Sequence, residues 1–322
     1  MRSLRSFGLV VLYVGAQLAA LALALPFRAQ GLATTSNPTS PTAPLYLIAV
    51  IIAAPIGILL LARFRGGLAA LRWVILLGIA GALLFTLTAA FDVLLPYWTF
   101  IPPTETAEAF VPADLLGALG SVLIFEALLL EPQWYVVDFV GFVAAGALIA
   151  LFGISFAILP VFILLIVLAA YDAIAVYGTK HMVSLAEVVT DLKLPILMVM
   201  PGSASYDYPR SGGFTAQREK PVEEREATFM GLGDVVFPGI LVVSAFVWLP
   251  THPVFLGLGA NLWVAVGALL GSLVGYTVLM RFVAGGNPQA GLPFLNGGVL
   301  AGYVVTYLLL LHSLTLGISW NF

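Results

Sequence analysis

YDAIAVYG, residues 171–178, sets Asp172 inside an apolar run long enough to cross a bilayer, and GLGD, residues 231–234, does the same with Asp234. One charged loop separates them. Eight positions lead from Asp172 to the next charged residue, Lys180, and eight lead back from Asp234 to Glu226. At a rise of about 1.5 Å per residue, each carboxylate sits roughly 12 Å inside its helix from the same membrane face. Consecutive helices joined on one side run antiparallel and usually neighbour each other. The two acids are therefore expected to meet at one depth.

Composition sets the class. Hydrophobic residues make up 61% of the 322, charged residues 9%, and the mean hydropathy is +1.08, too little polar surface to cover a soluble body. An all-α polytopic membrane protein is expected. A net charge of −3 points to no acidic or basic partner, and nucleic acid is not expected. The absence of cysteine excludes a disulfide framework, a thiolate nucleophile and a thiolate metal site. His181, His252 and His312 fall in separate segments without HExxH-like spacing, so neither a metal nor another cofactor is expected.

Apolar runs of about 20 residues place nine helices. They cover about 7–26, 45–62, 73–96, 114–130, 134–151, 155–178, 229–249, 259–283 and 298–318. The first also resembles a signal peptide, with Arg2 and Arg5 ahead of it, but its apolar run exceeds the roughly 7–15 residues of such a core, so a retained helix is expected. The chain divides into residues 1–178, the loop 179–228, and residues 229–322. With the N-terminus in the cytoplasm, inside segments carry Arg2, Arg5, Arg63, Arg65, Arg72, Lys180, Lys193, Arg210, Arg218, Lys220, Arg225 and Arg281, while outside segments carry only Arg28. This bias orients the loop inward and the C-terminus outward, in a cell membrane.

Within the loop, Leu185, Val188, Val189 and Leu192 share one helical face, which suggests a short amphipathic helix on the membrane surface. LPILMVMP, residues 194–201, reads as an extended segment, residues 202–218 as mobile linker, and EEREAT as a solvated approach to the seventh helix. Glycine-rich GALGS and GALLGSLVG read as helix-packing faces. No internal repeat is evident.

Six acids lie in or near the spans. Asp92, Asp114, Glu126 and Asp138 fall within about five residues of a helix end, where a carboxylate reaches interfacial water. Glu126, in FEALLL, is the least comfortable and is kept as a weak candidate beside the main pair. An unpaired charge at the depth of Asp172 or Asp234 costs on the order of 3 kcal/mol. Two carboxylates in contact answer that cost by sharing a proton. Such a pair suits peptide hydrolysis, one acid polarising the scissile carbonyl while the other takes a proton from the attacking water. Gly231 and Gly233 leave no side chain beside Asp234, so a substrate backbone can come close.

The main competing reading is a proton- or cation-coupled transporter or channel using the same acids, since intramembrane carboxylates also mark ion pathways. A lone aspartate of this kind is also often a pore residue or a buried hydrogen-bond partner. A transporter should show repeated halves with matched broken helices, and none is seen. A type IV prepilin peptidase would share a GxGD element, but GLGDVV lacks the lysine expected after it. A non-catalytic membrane scaffold carries least weight.

Three separated motifs resemble those of the presenilin and signal-peptide-peptidase family of GxGD intramembrane aspartyl proteases, with the archaeal presenilin homologues the most similar in pattern. They are YD at Tyr171 and Asp172, GLGD from Gly231 through Leu232 and Gly233 to Asp234, and a PAL-like segment within NPQAGLPFLNGG, residues 287–298. The resemblance implies a nine-helix fold, catalytic roles for Asp172 and Asp234, and shaping of the active site by the last loop. Aligning Leu292 and Pro293 with the family's motif leaves Ala290 and Gly291 in the two preceding places, so the first proline of that motif is missing. The partners implied are transmembrane-helix protein substrates and the lipid bilayer, and a homo-oligomer is left open. The resemblance also suggests that an unwound substrate stretch adds as a strand to LPILMVMP or to the segment before GLGD.

Overall fold

The computed structural model describes residues 2–61, 64, 66–95, 112–178, 196–212, 216, 217, 220, 221, 224–283 and 289–318. Among these, nine helices follow the chain: α1 (Arg2–Ala29), α2 (Ala43–Leu61), α3 (Gly67–Leu94), α4 (Pro112–Leu130), α5 (Trp134–Ser155), α6 (Ile158–Ala173), α7 (Leu232–Trp248), α8 (Ala260–Val283) and α9 (Leu292–Leu311). All but α7 are long and apolar enough to cross a membrane, and α7 is an apolar helix of 17 residues. The chain is an integral, multi-pass membrane protein. The expected amphipathic helix at 185–192 lies outside the described residues.

Small side chains decide which helices touch. α5 is the most enclosed span, and its Ala145 and Ala150 are buried in one core with Ala16, Ala20 and Ala24 of α1. A Cβ at Gly239 of α7 would stand 2.8 Å from Ile149 of α5, so the glycine is what lets these helices close up. α8 meets α9 in the same way. A Cβ at Gly271 would lie 2.7 Å from the Cα of Gly302, and one at Gly298 would lie 3.1 Å from the Cα of Gly275. GALLGSLVG is thus a packing face, as expected.

Two strand pairs depart from the all-helical expectation, and the first positions the site. β1 (Leu197–Pro201) pairs antiparallel with β2 (Ala227–Gly231), with Leu197 opposite Gly231 and Val199 opposite Phe229. Of LPILMVMP, Leu197–Pro201 is extended as expected, and its partner is the segment directly before GLGD. The seventh helix therefore starts at Leu232 rather than near Phe229, because the residues before it are committed to the ladder. That removes the helical depth count on this side. Asp234 lies in the first turn of α7, and an extended strand precedes it. A second small pair, β3 (Pro253–Phe255) with β4 (Leu258–Gly259), links α7 to α8.

The linker reading of 202–218 also fails where residues are described. Tyr206 and Tyr208 are buried with Val137, Val140 and Val199 in a second apolar cluster under the sheet. The tyrosines supply apolar area that a count of Gly, Ser and Pro overlooks. The approach to β2 is solvated as expected at Glu226, which is exposed and pairs with Lys220 at 3.2 Å.

Candidate active site

Asp172 occupies the last turn of α6, where the helix widens into a π-turn over Ile174–Gly178. Its carboxylate is buried, 5% exposed, and Oδ2 accepts the main-chain N–H of Leu292 at 3.0 Å. The N–H of Gly291 bonds to the same carboxylate. These donors are available because Gly291 and Leu292 open α9, and the first N–H groups of a helix have no partner within it.

Asp234 is the third residue of α7 and takes the N–H of Gly231, the residue that caps the helix. This is the backward half of a capping box, with the third-residue carboxylate satisfying the cap's own N–H. The first-turn position also places the acid at the positive end of the helix dipole. A Cβ on Gly291 would fall 2.7 Å and 2.8 Å from the two carboxylate oxygens of Asp234. Hence the Gly291–Leu292 backbone passes between the acids, bonded to Asp172 and so near Asp234 that only a glycine fits. The two carboxylates are also near enough for the charge of Asp172 to act on Asp234.

The remaining expected site residues gather round this contact. Tyr171, partly buried, is the chain neighbour of Asp172 and feels its charge. Leu232 gives its N–H to the Ile196 carbonyl at 2.9 Å, joining the start of α7 to the end of the sheet. At Gly233 a Cβ would meet the Phe237 ring at 3.0 Å, and at Gly231 it would meet Asp234 Oδ2 at 3.3 Å. Ala290 is fully buried and gives its N–H to the Tyr177 hydroxyl at 3.2 Å. Pro293 is the second residue of α9, a position with no helical partner for the N–H that proline lacks. The ninth helix thus begins inside NPQAGLPFLNGG, at Leu292 rather than near Gly298, because that proline starts a helix here rather than making a turn.

Several neighbours of the site were not singled out from sequence. Tyr177 anchors the residues before α9 to the π-turn after Asp172. Asn296, one turn into α9, is buried and gives its amide to the Leu165 carbonyl of α6 at 2.9 Å. Tyr13 of α1 is buried within reach of the Asp234 charge. The sharpest correction concerns Asp138. Expected at interfacial water, it is instead 4% exposed and accepts the Val199 N–H at 2.6 Å. The helix-end argument fails because the sheet and the Tyr206–Tyr208 segment cover that end of α5. Glu126, by contrast, is exposed.

The geometry is that of two neighbouring acids, Asp172 buried and Asp234 half-buried, with main-chain donors aimed at them, a setting for acid–base chemistry. Comparisons with known proteins agree with that chemistry. The profile of the family described as signal-peptide peptidase, presenilin aspartyl protease matches residues 10–311. A solved presenilin family intramembrane aspartate protease, crystallised in space group C222, superposes with a TM-score of 0.63 at 32% identity, over 94% of this chain and 99% of that one. A structure with the same family description in space group P2 gives 0.61 at 32% identity, over 94% and 97%. No curated protein matches the sequence.

Proposed function

The chain belongs to the signal-peptide-peptidase and presenilin family of intramembrane aspartyl proteases, and from that premise we propose that Asp172 and Asp234 are its catalytic pair. One observation carries the assignment: the Gly291–Leu292 backbone is bonded to Asp172 and leaves no room for a Cβ beside Asp234. The other buried acid of this region, Asp138, is committed to the Val199 N–H instead.

With one proton shared between the pair, the protonated acid donates to the scissile carbonyl oxygen while the ionised one takes a proton from water. The water oxygen adds to the carbonyl carbon and gives a tetrahedral diol. Collapse of the diol, with proton delivery to the amide nitrogen, breaks the C–N bond and leaves a carboxyl and an amino end. Neither a metal nor a covalent intermediate enters this scheme. Tyr171, Leu232 and Gly233 line the approach, and Ala290, Gly291, Leu292 and Pro293 shape the site.

The substrates are membrane proteins cut within the bilayer. A transmembrane helix has its amides bonded internally, so the scissile stretch must unwind first. We propose that it is then held as a further strand on the β1–β2 sheet, whose last residue, Gly231, is three positions before Asp234. The distribution of Lys and Arg supports a cytoplasmic N-terminus and a cytoplasmic 179–228 loop, with the C-terminus outside a cell membrane.

The test uses purified protein in detergent and a helical membrane peptide. Asp172→Asn and Asp234→Asn should each abolish cleavage while thermal unfolding stays cooperative. Cleavage that survives both changes would remove the assignment.

A further inference from the structure

Asp138 lies on α5, on a helix that contributes neither of the two proposed catalytic acids. It is tied to the sheet. The ladder bonds fall on the pairs Gly202 with Glu226 and Leu232 with Ile196. By the alternation of an antiparallel pair, Met198 and Met200 turn their N–H groups toward β2, and Val199 turns its own outward. Asp138 Oδ1 receives that outward N–H at 2.6 Å, and both residues are buried. The next outward position is Pro201, which has no N–H to offer. A slip of two residues in that direction would therefore leave the carboxylate without its donor.

The contact is continuous with the site. Ile196 stands directly before β1 and receives the Leu232 N–H at 2.9 Å, and Asp234 follows two residues later. We infer that Asp138 is a positioning residue, a register lock that holds β1, and through it the start of α7, in the one alignment that brings Asp234 to Asp172 and sets the sheet for substrate. This rests on the catalytic pair and the added strand proposed above. Tyr208 is buried close by, in one apolar cluster with Val199. Burial, together with Tyr206 and Asp138 nearby, pushes its phenol up to about 12, so it remains a protonated, neutral neighbour.

Three variants test the lock on purified full-length protein with a helical membrane peptide. The readouts are kcat and KM separately, the bonds cut by mass spectrometry, and the unfolding temperature. Asp138→Asn keeps an oxygen for the Val199 N–H and should retain both the rate and the cleavage positions of the native chain. Asp138→Leu removes the acceptor and should lower kcat at least tenfold, on the order expected for a displaced catalytic group, and spread cleavage to neighbouring bonds. Val199→Pro removes the donor instead, breaks no ladder bond, and should reproduce that pattern without adding to it in the double variant.

Native kcat and native cleavage bonds in Asp138→Leu would overturn the inference, whatever the unfolding temperature. If that variant does not fold, the same result in Val199→Pro overturns it. Loss of activity in Asp138→Asn would also overturn it, by making the carboxylate itself a reacting group. Inert Asp172→Asn alongside a native-like Asp138→Leu would sink only the lock. Active Asp172→Asn would sink the catalytic pair on which it rests.

Discussion

The Tyr177 hydroxyl accepts the N–H of Ala290 at 3.2 Å, which ties the turn after Asp172 to the residues that open α9. The same hydroxyl donates to Gln289 Oε1 at 2.9 Å. Because α9 begins with the amides bonded to Asp172, this clasp closes a loop around one of the two acids. Tyr177→Phe deletes both bonds and keeps the ring. Neutral hydrogen bonds this exposed contribute at the low end of about 0.5–1.5 kcal/mol each, about 1 kcal/mol for the two, so kcat should fall roughly fivefold. Tyr177 is 53% exposed, so unfolding temperature should hardly move. Steady-state kinetics on a fluorogenic peptide decide the matter, and native kcat would mean the clasp is ornamental.

Gly291 is the tightest point of the site. An alanine there would place a methyl 2.7 Å and 2.8 Å from the oxygens of Asp234, so either the acid or the start of α9 has to move. Displacement of about 1 Å costs on the order of a hundredfold in rate. Gly291→Ala should therefore lose about that much kcat while still unfolding cooperatively. Gly297→Ala is the control, since nothing lies within 4 Å of its added Cβ. Equal activity in the two variants would remove the packing argument.

The sheet can be probed from within the ladder. The N–H of Met200 faces β2, so Met200→Pro removes a ladder bond beside the proposed substrate strand. Cleavage should fall markedly, while the buried helices keep the protein folded. Unchanged turnover would discard the strand-addition idea, since a sheet that tolerates a broken ladder is not what aligns the substrate.

What could be read from sequence divides along the range of the interactions. Asp172 and Asp234 were legible because an acid in an apolar span is a local contradiction, visible without any partner. Nine helices were legible because each span carries its own apolar signal. The pairing of β1 with β2 was not, since Val199 and Phe229 are 30 positions apart and nothing in either segment names the other. Asp138 was misjudged for the same reason. Its nearness to a helix end is local, whereas the cover over that end comes from Tyr206 and Tyr208, about 70 residues later. The start of α9 was missed on a different ground, because proline marks turns and first helical turns alike, and only the bonds at Gly291 and Leu292 separate the two.

Finally, the glycines between α8 and α9 link stability to chemistry. Gly271 faces Gly302 so closely that an added Cβ would lie 2.7 Å from its Cα, and the facing atoms are backbone, which cannot swing aside. Gly271→Ala should therefore destabilise the protein by about 1–3 kcal/mol, the usual range for overpacking, read as a lower unfolding temperature. The strain falls on α9, whose first residues hold Asp172, so kcat should drop as well. Gly78→Ala in α3, where a Cβ meets nothing within 4 Å, should lower neither quantity. A Gly271→Ala protein that melts lower yet cleaves at the native rate would separate the helix contact from the site, and would show that the Leu292 amide stays in place when the helix behind it shifts.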